Sequence, residues 1–325
     1  MLFVKSVTSF WQRRNLFHYL LFPLSLIWLL ASYIRKIKTP YQSSLFVICI
    51  GNLNIGGSGK TPTAILLGEL LKPHHKVVFL TKGYKGSLKE PTWVTLNHNA
   101  TETGDEPLLL AKVLPTMVAK NLKAGLQAIE TSKKATIVII DDGFQNPTII
   151  KNFNILVVNG NYQFGNKLLV PAGPLRESIK SGLQKTQALV ILEKNSSFIH
   201  KLAKEYNLST YVGQYQPIQK YQTYKEVVAF CGIGMPEKFL STLKNNHIKV
   251  ETFLTFPDHH KYTKKELQQI IINANNRPII TTEKDYIKIP KEYTPAISSY
   301  KIKLNLQNAE VLLLQILTKI KLFKN

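Results

Sequence analysis

Residues 45–61 read Leu-Phe-Val-Ile-Cys-Ile-Gly-Asn-Leu-Asn-Ile-Gly-Gly-Ser-Gly-Lys-Thr. Positions 45–50 form a short apolar run rich in β-branched residues. A glycine-dense loop follows at once and ends in Gly59-Lys60-Thr61, then Pro62 and the helical apolar pattern of 64–71. Strand, glycine loop, Gly-Lys-Thr and helix, in that order, are the setting in which a phosphate-binding loop is credible. Gly56, Gly57, Ser58 and Gly59 would turn backbone N–H groups inward around phosphate oxygens, and the helix N-terminus adds the positive end of its dipole. Lys60 would reach the β- and γ-phosphates, and Thr61 would offer its hydroxyl to Mg²⁺. Pro62 fits the first helical turn, where it forfeits no hydrogen bond. The loop departs from G-x-x-x-x-G-K-[ST] in having Asn54 at the first glycine, a residue that tolerates left-handed backbone. The extra lysine of partitioning-type ATPases is absent, because position 55 is Ile55. The alternative, a glycine-rich turn with a chance Gly-Lys-Thr, has no account of the flanking strand and helix.

The rest of the chain fits an α/β enzyme. A length of 325 residues accommodates two domains or one large one. With 44% apolar residues it can build real cores. Short apolar runs at 76–80, 136–140, 154–158, 188–192, 227–231, 250–254, 278–281 and 299–304 alternate with helical patterns at 106–113, 120–131, 236–245, 264–275 and 309–322. That alternation predicts βαβ units: a P-loop NTPase-like, mainly parallel sheet domain, with a second, smaller α/β domain. Residues 214–225 (QYQPIQKYQTYK) have no apolar period and read as a linker. The expected division is therefore 1–38, 39–213, 214–225 and 226–325.

The net charge of +22 is mostly lysine. It suits nucleic acid, an anionic membrane surface or a phosphorylated substrate. No basic motif interleaved with aromatics supports nucleic acid, so no such partner is expected. Cys49 and Cys231 lie in strand-like runs and read as buried thiols in a reducing compartment. Residues 16–34 are almost wholly apolar and are bracketed by Arg13-Arg14 and by Arg35, Lys36 and Lys38. No small-residue cleavage site follows, which argues against a signal peptide. The segment 1–38 is expected to attach to a membrane surface, either spanning it or lying in one leaflet, with the catalytic body in the cytoplasm. A buried core helix is the competing reading.

Three further constellations bear chemistry. Asp141-Asp142 end the strand pattern 136–140, where a P-loop enzyme holds Mg²⁺, although Asp-Asp-Gly is also good turn chemistry. Gly104-Asp105-Glu106 opens a helix, which fits capping as well as catalysis. Phe256-Pro257-Asp258-His259-His260 offers a His oriented by a carboxylate, an acid–base arrangement. The loop 168–177 ends in Arg176-Glu177, an arginine suited to phosphate or to a structural ion pair.

These segments occur in a characteristic order. Gly51-Asn52-Leu53 and the phosphate loop are followed by Lys82-Gly83-Tyr84, Gly104-Asp105-Glu106 and Asp141-Asp142-Gly143-Phe144-Gln145. Pro171-Ala172-Gly173-Pro174-Leu175-Arg176-Glu177, Gly232-Ile233-Gly234, Phe256-Pro257-Asp258-His259 and Thr281-Thr282-Glu283-Lys284-Asp285 complete the series. From about residue 8 onward the chain resembles the tetraacyldisaccharide 4′-kinase family of lipid A biosynthesis. The resemblance implies transfer of the ATP γ-phosphate to the 4′-hydroxyl of an acylated glucosamine disaccharide 1-phosphate, giving lipid IVA, at the cytoplasmic face of the inner membrane. It implies ATP and Mg²⁺ as cofactors, Asp105 as catalytic base paired with His259, and Lys60 in the catalytic set. Thr61, Glu106, Asp141 and Asp142 would organise Mg²⁺, with Glu177 assisting. Because His259 lies beyond the expected linker, domain closure is expected to assemble the site. The chain departs from the family pattern at Lys82 and Lys123, where arginine is usual, and at Asn146, where histidine is usual. Lysine loses bidentate phosphate geometry and Asn146 cannot carry a proton, which weakens a phosphate-clamp role there. The contrasting class is a membrane-attached regulatory P-loop ATPase, which would need Lys60, Thr61 and Asp141 but not Asp105 and His259. The sequence specifies no oligomeric partner.

Overall fold

The computed structural model describes residues 11, 16–34, 39–218 and 226–324. The remainder of the expected 1–38 segment and residues 219–225 of the expected linker lie outside the described residues. The 45–50 run is strand β1 (Phe46–Gly51), buried at every position, as are β2 (Val77–Thr81), β5 (Ile137–Asp141), β6 (Phe153–Asn159) and β7 (Ala188–Leu192). Such unbroken apolar runs belong to parallel strands covered on both faces. With β3 (Thr92–Trp93), β4 (Thr116–Val118), β8 (Ser209–Pro217) and β13 (Ile302–Leu306) they form a nine-stranded sheet in the order β13-β8-β7-β6-β1-β5-β2-β4-β3. Only the end pairs β13–β8 and β3–β4 are antiparallel. Side-chain alternation supplies two cores: Val47, Cys49, Val78, Leu80, Val138 and Ile140 face one way, and Phe46, Ile48, Ile50, Phe79, Ile137 and Ile139 the other.

β1 lies between β5 and β6, and the chain leaves it for α2 (Lys60–Leu71) and then β2 on the far side of β5. This topological switch opens a crevice at the carboxyl ends of the strands, where ligands bind in open α/β sheets. A second sheet, all parallel, runs β10 (Val250–Thr255), β9 (Val227–Cys231), β11 (Ile279–Thr282), β12 (Ile297–Tyr300). Its core joins Val228, Phe230, Leu267, Ile270 and Ile297. Cys49 and Cys231 are buried free thiols, as expected.

Two expectations from the sequence are corrected. Residues 214–217 are not linker but the end of β8, which pairs with β13. The strand expected at 299–304 is two strands in different sheets: β12 lies parallel to β11, while β13 returns to the large sheet and leads into α11 (Ala309–Lys324). Residues 226–325 are thus not one separate domain, since their last strand and helix complete the first sheet.

The apolar N-terminal segment forms helix α1 (Leu16–Ile34). Among the described residues, no helix is long and apolar enough to cross a membrane. The buried-core alternative does not hold, because Leu16, Phe17, Leu20, Leu26, Ile27 and Leu30 are exposed. The helix docks through its few polar atoms. Ser25 Oγ donates to Leu169 O at 2.9 Å, and Trp28 Nε1 donates to Arg176 O at 3.0 Å.

Candidate active site

The glycine loop closes as its composition requires. Gly59, the residue before α2, has φ 90°, and a Cβ there would run into the side chains of Leu192 and Tyr215. Gly56 and Gly57 face open space. Lys60 Nζ lies 3.3 Å from Asn52 Oδ1, which it donates to, and 3.7 Å from Asp142 Oδ1. Thr61 Oγ1 donates to Asp141 Oδ2 at 2.8 Å. Asp141 Oδ1 and Ser58 Oγ are buried without a hydrogen-bond partner among the described residues. Burial, reinforced by the charge of Glu106, pushes the Asp141 carboxyl up to about 7.

The expected Mg²⁺ set divides under this geometry. Among the described residues no three His, Cys, Asp or Glu side chains cluster as a metal cage. Thr61 and Asp141 fit the ion: a hydroxyl beside a buried carboxylate with an orphan oxygen and a like charge nearby asks for a cation. Mg²⁺ is usually held this way, by one or two protein groups with phosphates and water completing the octahedron. Glu177 does not fit, because Oε1 accepts from Lys185 Nζ at 2.8 Å and Gln145 Nε2 at 3.1 Å, and Oε2 accepts from Ser181. Asp142 accepts from Arg176 Nη1 at 2.9 Å. Burial raises its carboxyl, but Lys60 and Arg176 outweigh that and hold it below the usual range. Arg176 is accordingly an ion-pair partner at the mouth of the phosphate loop. Glu106 faces Lys284 at 3.8 Å.

The second half of the site comes from both sheets. Gly104 (φ 88°) packs so tightly on the Tyr84 carbonyl that no Cβ fits, and it places Asp105 at the first position of α4 (Asp105–Ala111). His259 Nδ1 lies 2.8 Å from Asp105 Oδ2, with Asp105 buried and the His259 side chain only slightly exposed. The pair is therefore already assembled, which corrects the expectation that closure must form it. Burial pushes the Asp105 carboxyl up, but the hydrogen bond from His259 and the positive surroundings that include Lys288 and Lys284 more than reverse this and hold it low. His260 turns away, bonded to Glu266 and stacked on Phe256 at 4.8 Å.

Reasoning from sequence assigned no role to 283–285, and the structure supplies one. Asp285 is fully buried in the short helix Glu283–Tyr286 that follows β11 and accepts from Gly232 N, Tyr262 Oη, Thr282 Oγ1 and Lys288 Nζ. It fixes the loop after β9, whose Gly232 carbonyl in turn accepts from His259 N at 3.1 Å. Lys284 points to His259 and Lys288 lies 4.0 Å from Asp105. A charged run at the carboxyl end of a parallel strand was the signal available. Of the departures, Lys82 lines the cleft, Lys123 lies over the Tyr41 ring, and Asn146 Oδ1 accepts from Thr148 N in a local turn.

Lys60, Thr61, Asp141, Glu106 and His259 all line one cleft of about 2160 Å³, bounded by the large sheet, the second sheet and Leu26, Leu29 and Leu30 of α1. A family model described as tetraacyldisaccharide-1-P 4′-kinase, LpxK, matches residues 17–321. The chain belongs to that family. The kinase expected from the sequence is thereby borne out at family level, with a mixed α/β fold and a large, mainly parallel sheet. A tetraacyldisaccharide 4′-kinase of Rickettsia akari is 35% identical over 319 residues, covering 97% of this chain and 98% of the relative. That of Rickettsia typhi is 37% identical over 284 residues, 86% of this chain and 88% of the relative. Among solved structures, the "apo" form of LpxK from Aquifex aeolicus in complex with ATP superposes with a TM-score of 0.74 at 27% identity, covering 94% of this chain and all of that one.

Proposed function

We propose that this LpxK-family chain transfers the γ-phosphate of ATP to the 4′-hydroxyl of a tetraacylated glucosamine disaccharide 1-phosphate at the cytoplasmic face of the inner membrane. The observation that carries this reading is the Asp105–His259 pair, whose His259 lines the same cleft as Lys60 and Thr61. A sugar hydroxyl is a poor nucleophile, and a carboxylate held by an imidazole N–H is an oriented proton acceptor. A regulatory ATPase has no use for such a base.

The loop 56–59 and the N-terminus of α2 would hold the phosphates, and Lys60 would balance charge developing on them. Thr61 and Asp141 would hold Mg²⁺, which neutralises phosphate charge when bound. As the new bond forms between the 4′-oxygen and the γ-phosphorus, the bond to the β-phosphate bridging oxygen breaks. The hydroxyl proton passes to Asp105, and ADP leaves. His259 orients the accepting carboxylate through Nδ1–H. The exposed apolar face of α1 would lie among lipid headgroups and acyl chains, its flanking cations on anionic lipid. Because α1 is hydrogen-bonded to the 168–177 loop, that contact would sit beside Arg176 and the phosphate loop.

The test is γ-³²P-ATP with Mg²⁺, detergent and the tetraacyl disaccharide 1-phosphate. Label in the lipid phase is expected, and its absence from folded, ATP-binding protein would sink the reading. Flotation with anionic vesicles tests the membrane surface: binding is expected to fall when Leu20, Ile27 and Leu30 are replaced by serine.

A further inference from the structure

We propose that Lys284 is a positioning residue that sets the protonation form of His259, an inference that rests on the kinase reading above. Lys284 Nζ stands 3.3 Å from His259 Nε2, on the opposite edge of the ring from Asp105. An ammonium has three donors and no acceptor, so it can meet Nε2 favourably only where that nitrogen offers a lone pair. Neutral imidazole with a bare Nε2 carries its proton on Nδ1, the nitrogen 2.8 Å from Asp105 Oδ2. One lysine on α10 (Glu283–Tyr286) thus dictates that the ring donates to the carboxylate, as a general base requires.

Without Lys284 the surroundings would favour the other forms. Asp258 Oδ2 lies 3.7 Å from Nε2 and would attract a proton there. Asp105 sits on the other edge, and Glu106 follows it in the chain. Lys284 counters these charges, lying 3.8 Å from Asp258 Oδ1 and 3.8 Å from Glu106 Oε1. The remaining neighbours do not compete for Nε2. Tyr84 packs edge-on against the ring at 5.4 Å, Lys85 donates to the Asp258 carbonyl, and Lys288 is bonded to Asp285. Positive φ at His259 (62°) and its backbone bond to Gly232 hold the ring between the two charges.

The proposal is tested on ¹⁵N-histidine-labelled protein, with the His259 signals assigned by their loss in His259→Gln. Wild type is expected to show a protonated Nδ1 and a lone-pair Nε2. Lys284→Met should lose the lone-pair signature and lower kcat about 10- to 100-fold, as misorientation of a catalytic group does, with KM for ATP unchanged. Lys284→Arg should restore both. A proton on Nε2 in wild type overturns the proposal without any variant, as does an unchanged spectrum in folded Lys284→Met. A raised KM for ATP with kcat retained would instead make Lys284 a phosphate contact. The spectrum needs no turnover, so failure of the kinase reading would appear separately, as absence of lipid label from wild type.

Discussion

The two halves of the cleft are built in opposite ways. The phosphate-loop half is mostly local: Asn52, Ser58, Gly59, Lys60 and Thr61 lie within one strand–loop–helix, Asp141 ends the neighbouring strand β5 with Asp142 directly after it, and Arg176 pairs with Asp142. The acid–base half is assembled from distant segments: Asp105 from α4, His259 from the loop after β10, and Lys284 and Lys288 after β11. A local half keeps its geometry as long as one βα unit is folded. The assembled half depends on the packing of two sheets against each other, with Asp285 as its buried anchor.

This difference can be broken experimentally. Asp105→Asn should lower phosphoryl transfer by about 10²- to 10⁴-fold while ATP affinity holds, as read by lipid labelling and nucleotide titration. Loss of ATP binding in that variant would mean the halves are not separable. Asp285→Ala leaves Lys288 buried without its partner and should cost about 3–5 kcal/mol by urea unfolding. The loss is expected in the second sheet, with exchange protection of β1 and α2 amides largely retained.

Asp141 gives a pH signature to the local half. Its carboxyl is raised to about 7 in the fold, so the folded state holds a proton that the unfolded chain releases near the ordinary carboxylate value. Without Mg²⁺, stability from this group is greatest at acid pH and declines as pH rises through 7. Asp141→Asn should flatten that decline in thermal melts and remove the stabilisation by Mg²⁺ at pH 8. The smallest effect is expected at Lys238–Glu193, a half-buried pair 2.6 Å apart, where Lys238→Ala should cost at most about 1 kcal/mol.

Legibility followed the same division. The loop 56–61, Asp141 and the parallel strands were readable because each is a short, contiguous pattern. Strand β8 was missed because it buries little beyond Tyr211 and Gly213, so its polar end looked like linker. The break at Lys301 was invisible for a related reason. Tyr300, Leu304 and Leu306 are buried in one unbroken alternation, and period-two patterning cannot say that its two ends pair in different sheets. Glu177 was overread as a metal ligand because a carboxylate's partners, here Lys185, Gln145 and Ser181, are not written beside it.

The sequence by itself determined that a strand–glycine-loop–helix would form a phosphate cradle, since the φ values, donors and cation needed there are carried by consecutive residues. Its series of motifs also determined the family. Tertiary structure alone decided that Asp105 meets His259 rather than His260, that Lys284 closes the other edge of that ring, and that the last strand returns to the first sheet. Those outcomes depend on which segments pack against each other across more than a hundred and fifty residues, as for Asp105 and His259 with a separation of 154, and no local pattern encodes a contact at that range.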